Sequence, residues 1–275
     1  GLGELFTPAL YKAASMELIG SALFLFMSLS ILISSVNYYN FAFNSDAANF
    51  PPEQVLNSVP NYRIPVTAGV LHIPLLFLLI LATAPISGGH LNSSITFATF
   101  LAGYTSFTRC VFYIIAQLTG GIIGSAILRG ILPFNIMKRT NLGICTFGTD
   151  ITYGGALGLE FMLSMLNLLV AFGVALDPRQ TSLLGPIGGA LSVSFTLGLS
   201  IISTAGIAPN YIFGFNITRC LCPAIVVGDL TKIWPYIVGP LIASFTIGVY
   251  IYLVPPFKSF QAPQYIIEKC KKIEN

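Results

Sequence analysis

Two copies of one unusual segment run through this chain, each an asparagine that opens a short apolar stretch between long hydrophobic runs. The first reads Ser87-Gly88-Gly89-His90-Leu91-Asn92-Ser93-Ser94-Ile95-Thr96, the second Phe213-Gly214-Phe215-Asn216-Ile217-Thr218-Arg219. Each copy follows the second long apolar run of its half, so the chain reads as a duplicated unit. A duplicated membrane unit with a polar, helix-breaking insert in each half is a transport architecture.

Of the 275 residues, 55% are hydrophobic and only 8% charged. An ordinary soluble domain is about 25% charged, which argues against a soluble fold. A membrane span needs ~20 mostly apolar residues, because the hydrocarbon layer is roughly 30 Å thick and a helix rises about 1.5 Å per residue. Six segments qualify, at about 14–36, 64–84, 107–132, 154–176, 186–207 and 232–254. The stretches near 93–103 and 217–227 are too short to cross. They suit re-entrant half-helices, whose loose backbone is tolerated only inside protein or along a wet cavity. The expected class is therefore an all-α membrane protein, with six transmembrane helices plus two re-entrant half-helices in one membrane domain over 1–275.

The halves are expected at 12–130 and 154–254. Glu17 in the first helix and Glu160 in the fourth each put one carboxylate early in an apolar span, with Asn92 and Asn216 two segments later. Three spans per half is an odd number, so the second copy enters from the opposite face as an inverted repeat. The half-helices then meet near the midplane, N-terminus to N-terminus. Small residues would pack the bundle: Gly120, Gly124 and Ser125, then Gly188, Gly189 and Ala190, then Gly239 and Ser244. The links 37–62 and 133–153 are long; the first is polar and suits either a mobile connection or a cap on the outer mouth.

Lys12, Arg109, Arg179, Lys258, Lys269, Lys271 and Lys272 would share one side, against Arg63, Arg129, Lys138, Arg139 and Lys232 on the other. That excess puts both termini in the cytosol. The one basic cluster, Lys269 to Lys272, reads as a solvated or lipid-facing end rather than a nucleic-acid site. The five cysteines are odd in number and lack metal spacing, so they read as small buried residues, with Cys145 the candidate to pair between subunits. The first apolar run reads as a span rather than a cleavable signal, and the opening Gly1-Leu2-Gly3 as an internal start.

Each Asn is expected to cap its half-helix and turn its NH2 toward the lumen. Both also match the N-x-Ser/Thr glycosylation pattern, but a membrane-buried Asn is out of reach of that chemistry. Arg219 lies one helical turn beyond Asn216. A guanidinium inside a span is costly, which makes it functional by default. Glu17 and Glu160 are read as acceptors for backbone N–H groups of the half-helix loops, with proton carriage as the competing role. His90 is read as an anchor of the inner loop, or a part of a cytosolic gate.

Together, the two-Asn duplication, the Ser-Gly-Gly-His-Leu-Asn lead-in, Asn-x-x-Arg in the second copy and Trp234-Pro235-Tyr236-Ile237-Val238-Gly239-Pro240 resemble the aquaporin (major intrinsic protein) family over nearly the whole chain. Phe172–Gln180 and Asn141–Thr146 are similar to its plant and fungal branch, the X intrinsic proteins. The family's Asn-Pro-Ala signature is altered twice here, to Asn92-Ser93-Ser94 and Asn216-Ile217-Thr218. Proline pre-sets a first helical turn; Ser93 can hold that turn by a local hydrogen bond, whereas Ile217 cannot. Ser94 and Thr218 bring hydroxyls to the place where the two loops abut.

The resemblance implies an aromatic/arginine selectivity filter made of Arg219, His72, Phe213 and, from the fifth helix, Thr204 or Ala205. It also implies a homotetramer with one pore per subunit. The leading expectation is a passive channel for water or small uncharged solutes such as glycerol, urea or hydrogen peroxide, with no enzymatic chemistry, metal or cofactor. It would sit in a lipid bilayer, in the plasma membrane rather than an internal one. The competing readings are a barely conducting member with a structural role, and a proton-coupled transporter using Glu17 and Glu160.

Overall fold

The computed structural model describes residues 2–46, 63–204, 207 and 211–254. Among them it forms α1 (Pro8–Asp46), α2 (Arg63–Ser87), α3 (Ser93–Leu101), α4 (Phe107–Ile131), α5 (Phe134–Thr140), α6 (Tyr153–Val170), α7 (Pro178–Thr204), α8 (Ile217–Val227) and α9 (Trp234–Leu253). No strand occurs among the described residues. Six helices are long and apolar enough to cross a membrane: α1, α2, α4, α6 with its continuation to Ala175, α7 and α9. The short α3 and α8 are the two expected half-helices.

Helix bounds follow local chemistry. Ser106 and Thr152 open α4 and α6 by accepting the main-chain N–H three residues on, from Arg109 and Gly155. Gly228 ends α8 in the left-handed conformation that a residue without Cβ adopts freely. Pro186 cannot continue a helical ladder, and Gly185 before it breaks α7 with φ 67 and ψ 175. The fifth span was expected from 186, which is where the straight part of α7 starts. The first span was expected at 14–36, but α1 continues to Asp46; residues 47–62 of the expected outer cap lie outside the described residues. The basic tail from Lys258 lies outside them too.

Close helix contact depends on glycines. A Cβ at Gly120 would stand 2.1 Å from Leu18 O, and one at Gly124 2.2 Å from Ala22 O, so α4 presses backbone-to-backbone on α1. In lipid, where helices gain little from hiding apolar side chains, this intimacy supplies the packing energy. Gly69 of α2 and Gly198 of α7 face each other in the same way, each hypothetical Cβ 2.8 Å from the other's carbonyl. Gly239 of α9 lies against Glu160. Gly188, expected at such a contact, instead faces Leu184 of its own helix.

The link 133–153 is more than a surface loop. After α5, Asn141 and Leu142 both take positive φ (45 and 55), and the chain turns inward. Leu142, Ile144, Cys145 and Phe147 are buried as a result. At the same rim, Tyr153 stacks on Trp234, and Lys232 donates to Phe147 O and lies 5.0 Å from that ring's centre. Aromatic and basic side chains of this kind gather at membrane–water boundaries.

Candidate functional site

The site is built where α3 and α8 meet. Asn92 and Asn216 each cap a half-helix from an extended conformation, and the Oδ1 of each accepts from the main-chain N–H two residues on: Ser94 N at 2.8 Å and Thr218 N at 3.1 Å. Each carbonyl oxygen is thereby held at its helix start, so each NH2 points away from the helix. Asn216 Nδ2 donates one hydrogen to Leu91 O at 2.8 Å, which ties the second loop to the first.

Before each Asn stands a bulky residue with positive φ, Leu91 at 49 and Phe215 at 53. That conformation is unfavourable for any residue with a Cβ and persists only where its surroundings enforce it. The enforcing groups are the two buried carboxylates. Glu17 Oε1 accepts from His90 N (3.0 Å) and Ser87 Oγ (2.6 Å), and its Oε2 from Leu91 N (2.7 Å) and Gln117 Nε2 (2.8 Å). Glu160 Oε1 accepts from Gly214 N (2.8 Å) and Tyr211 OH (2.5 Å), and its Oε2 from Phe215 N (2.9 Å). Every carboxylate oxygen thus already holds at least one donor. A charge buried in an apolar span is tolerable under those terms.

The altered triplets stitch the half-helices together. Ser94 Oγ donates to Phe215 O at 2.7 Å, and Ser93 Oγ bonds Thr218 Oγ1 across the interface. Ser93 was expected to hold its own turn; it reaches to the other half-helix instead, because the α3 and α8 N-termini abut. Ile217 is buried and carries no hydroxyl for that seam. Ser244 of α9 adds a bond to Ser94 O at 2.9 Å.

Both Asn residues line one cavity of about 210 Å³ that also touches His72, Phe213 and Arg219 at one end and Ala175, Leu176 and Thr181 at the other. His72 Nδ1 faces Ala68 O at 2.7 Å, a group that can only accept, so Nδ1 carries a hydrogen; Nε2 then meets the Ser28 hydroxyl at 2.8 Å. Arg219 is buried, with Nη1 donating to Gly143 O at 3.0 Å and to Cys145 Sγ at 3.1 Å. Cys145 is bonded to Cys220, the residue after Arg219, with their Cα atoms 5.2 Å apart. The expectation of a thiol free to pair between subunits is therefore corrected, as is the reading of Cys220 as a plain buried thiol. The inward turn at Asn141–Gly143 carries Cys145 down to α8. Among the described residues Cys110 and Cys222 are free and buried; Cys270 lies outside them.

Thr204 does not reach the cavity wall. Its hydroxyl donates back to Ser200 O and Ile201 O, and Ile201 presents the α7 surface to the cavity. Ala205 lies outside the described residues. His90 lines the cavity, and its Nδ1 lies 3.0 Å from Thr96 Oγ1. The sequence reading did not single out Ser28, Gln117, Tyr211 or the pair Leu91 and Phe215. Gln117 alone carried a signal, as a polar side chain inside an apolar span.

The chain matches the family described as Major intrinsic protein over residues 4–252. It is 35% identical to aquaporin-5 of Ovis aries over 196 residues, covering 68% of this chain and 70% of that one. Over 202 residues it is 34% identical to the lens fiber major intrinsic protein of Lithobates pipiens, covering 69% and 71%. Among solved structures it is similar to the aquaglyceroporin from Plasmodium falciparum, with a TM-score of 0.62 at 19% identity, over 94% of this chain and 99% of that one. That last likeness is one of fold.

Proposed function

Because the chain belongs to the major intrinsic protein family, we propose that this multi-pass membrane protein is a passive channel for water and small uncharged solutes, glycerol and urea among them. The observation that carries this reading is the shared cavity: two capping asparagines and a buried arginine face one narrow space with otherwise largely apolar walls. Each half-helix N-terminus is equivalent to roughly +0.5 charge. Two of them abutting at the midplane, with Arg219 beyond, oppose cations and protons. The Asn NH2 groups donate to a passing oxygen, and the apolar walls keep its binding weak enough for release.

In this reading Arg219, His72 and Phe213 form the selectivity filter, with a fourth contribution from Ile201 of α7 or from Ala205. Glu17, Glu160 and His90 hold the loops in shape. Residues 12–130 and 154–254 act as inverted repeats, supported by the matched pairs Glu17/Leu91 and Glu160/Phe215. Both termini face the cytosol of a plasma membrane, and four copies assemble with one pore each.

Light-scattering of proteoliposomes tests the proposal: shrinkage in a sucrose gradient reads water, and swelling in glycerol or urea gradients reads solutes. Rates well above those of empty vesicles are expected for water and for at least one solute. Arg219→Val removes the filter's cation, and with about 1 kcal/mol off the barrier the solute rate rises about fivefold. Rates equal to empty vesicles for water and every solute would sink the channel reading and favour a structural role.

A further inference from the structure

Asn167 is a polar group deep in the wall of the cavity with half its hydrogen-bonding capacity unused. It sits on α6, seven residues inward of Glu160, hence about 10 Å further along that helix. It is 1% exposed and lines the cavity. Its Nδ2 donates to Leu163 O at 2.8 Å and to Ser200 Oγ at 2.9 Å. The orientation of the amide follows from those partners. Leu163 O can only accept, and the Ser200 hydroxyl spends its own hydrogen on Thr196 O at 2.8 Å, so it too accepts from Asn167. Both amide hydrogens are committed. Oδ1 is left buried with no partner among the described residues.

An unmet carbonyl oxygen in a low-dielectric wall is costly unless a donor reaches it. The cavity beside it is where such a donor arrives. Neighbouring wall positions from α7, Val193, Leu197 and Ile201, are apolar and offer nothing in its place. From this geometry we infer that Asn167 is a solute-recognition residue, an acceptor-only station for the O–H and N–H groups of polyols and urea, separate from the filter and the capping asparagines. The inference rests on the channel reading and deepens it.

The chemistry favours such solutes over water. A polyol or urea sheds much of its hydration to enter a narrow lumen, and each of its donors left unmet there raises the barrier. Water molecules in file keep hydrogen bonds to one another, so they depend less on any one wall group. Asn92 and Asn216 offer NH2 groups at the midplane, and Asn167 offers a complementary acceptor further along the lumen, so a passing solute meets donors and an acceptor in turn.

The test compares wild type, Asn167→Leu and Asn167→Thr in the same proteoliposomes, with glycerol, urea and water measured in each. Leucine keeps the volume and removes the acceptor; threonine restores a hydroxyl acceptor if leucine prevents folding. Losing one hydrogen bond predicts that Asn167→Leu lowers glycerol and urea permeability about three- to tenfold, leaves water within about twofold, and that Asn167→Thr recovers much of the loss. Equal factors for water and solutes, or no change in either, would overturn the assignment. A wild type that passes water but neither solute overturns it while leaving the channel intact. A wild type no better than empty vesicles for every solute removes the channel reading, and this station with it.

Discussion

Arg219 and Asn167 show two ways in which a polar side chain survives inside an apolar bundle. Arg219 gives hydrogen bonds to Gly143 O and Cys145 Sγ, while Asn167 spends its NH2 on protein and leaves its Oδ1 without a partner among the described residues. Arg219 was legible in the sequence because a guanidinium in a span is rare and costly. Asn167 was not, since a lone Asn within a span is as readily a helix-packing group, and only its partners reveal which atom is spare. At the turn before α7, Asp177 Oδ1 accepts from Arg179 N at 2.8 Å, and its side chain pairs with the guanidinium at 2.7 Å. Those bonds from Arg179 hold the Asp177 carboxyl below its ordinary value. A lowered carboxylate contributes stability above its unfolded value, near 4, and loses it as pH falls through the folded one. The Arg179 side chain is 49% exposed, so solvent screens the pair and its contribution is small. Thermal unfolding in detergent should show a small wild-type advantage over Asp177→Asn that is constant between about pH 5 and 8 and fades below about 4. An advantage that grows toward acid would contradict the assignment.

At the scale of elements, the half-helices are held by their loops rather than by their own length. Nine and eleven residues make α3 and α8 too short for a stable isolated helix. Their start points are fixed by Glu17 and Glu160, which clamp the left-handed residues ahead of each cap. Replacing Glu160 with Gln puts an NH2 where one carboxylate oxygen accepts a donor, so at least one of its three bonds is replaced by a donor-to-donor clash. Hydrogen bonds to a charged group are each worth about 1.5–3 kcal/mol. The variant should lose roughly 2–4 kcal/mol of stability, read as a lower melting temperature, with water conduction falling alongside. If conduction collapses while stability holds, and uptake in the wild type follows a pH gradient, Glu160 is a proton carrier instead. The carboxylates and asparagines were visible in the sequence by their isolation in apolar runs. Leu91 and Phe215 were not, because nothing in a leucine or phenylalanine announces a left-handed backbone.

For the molecule as a whole, the disulfide joins two regions 75 residues apart in sequence, the inward turn after α5 and the first turn of α8. It sits beside Arg219, so it also ties the segment after α5 to the proposed filter. A crosslink of this span restricts the unfolded chain and typically adds about 2–4 kcal/mol. Cys145→Ser with Cys220→Ser should lower the melting temperature by a corresponding amount. It should also loosen Arg219, read as a changed ratio of glycerol to water permeability. An unchanged melting temperature and an unchanged ratio would mean that the surrounding packing suffices.

Sequence alone determined the membrane class, the six spans, the two half-helices and the asparagines that cap them. Those features rest on quantities carried by each residue: apolarity summed over a bilayer's width, and the cost of a lone polar group within it. Only the tertiary structure decided that Cys145 bonds Cys220, that Ser93 and Ser94 reach across to Thr218 and Phe215, and that Ile201 rather than Thr204 faces the cavity. Such pairings depend on a helix's rotation and on a turn's direction, and an error of one residue turns a helical side chain by about 100°. A linear pattern tells which groups need partners; the packed fold chooses them.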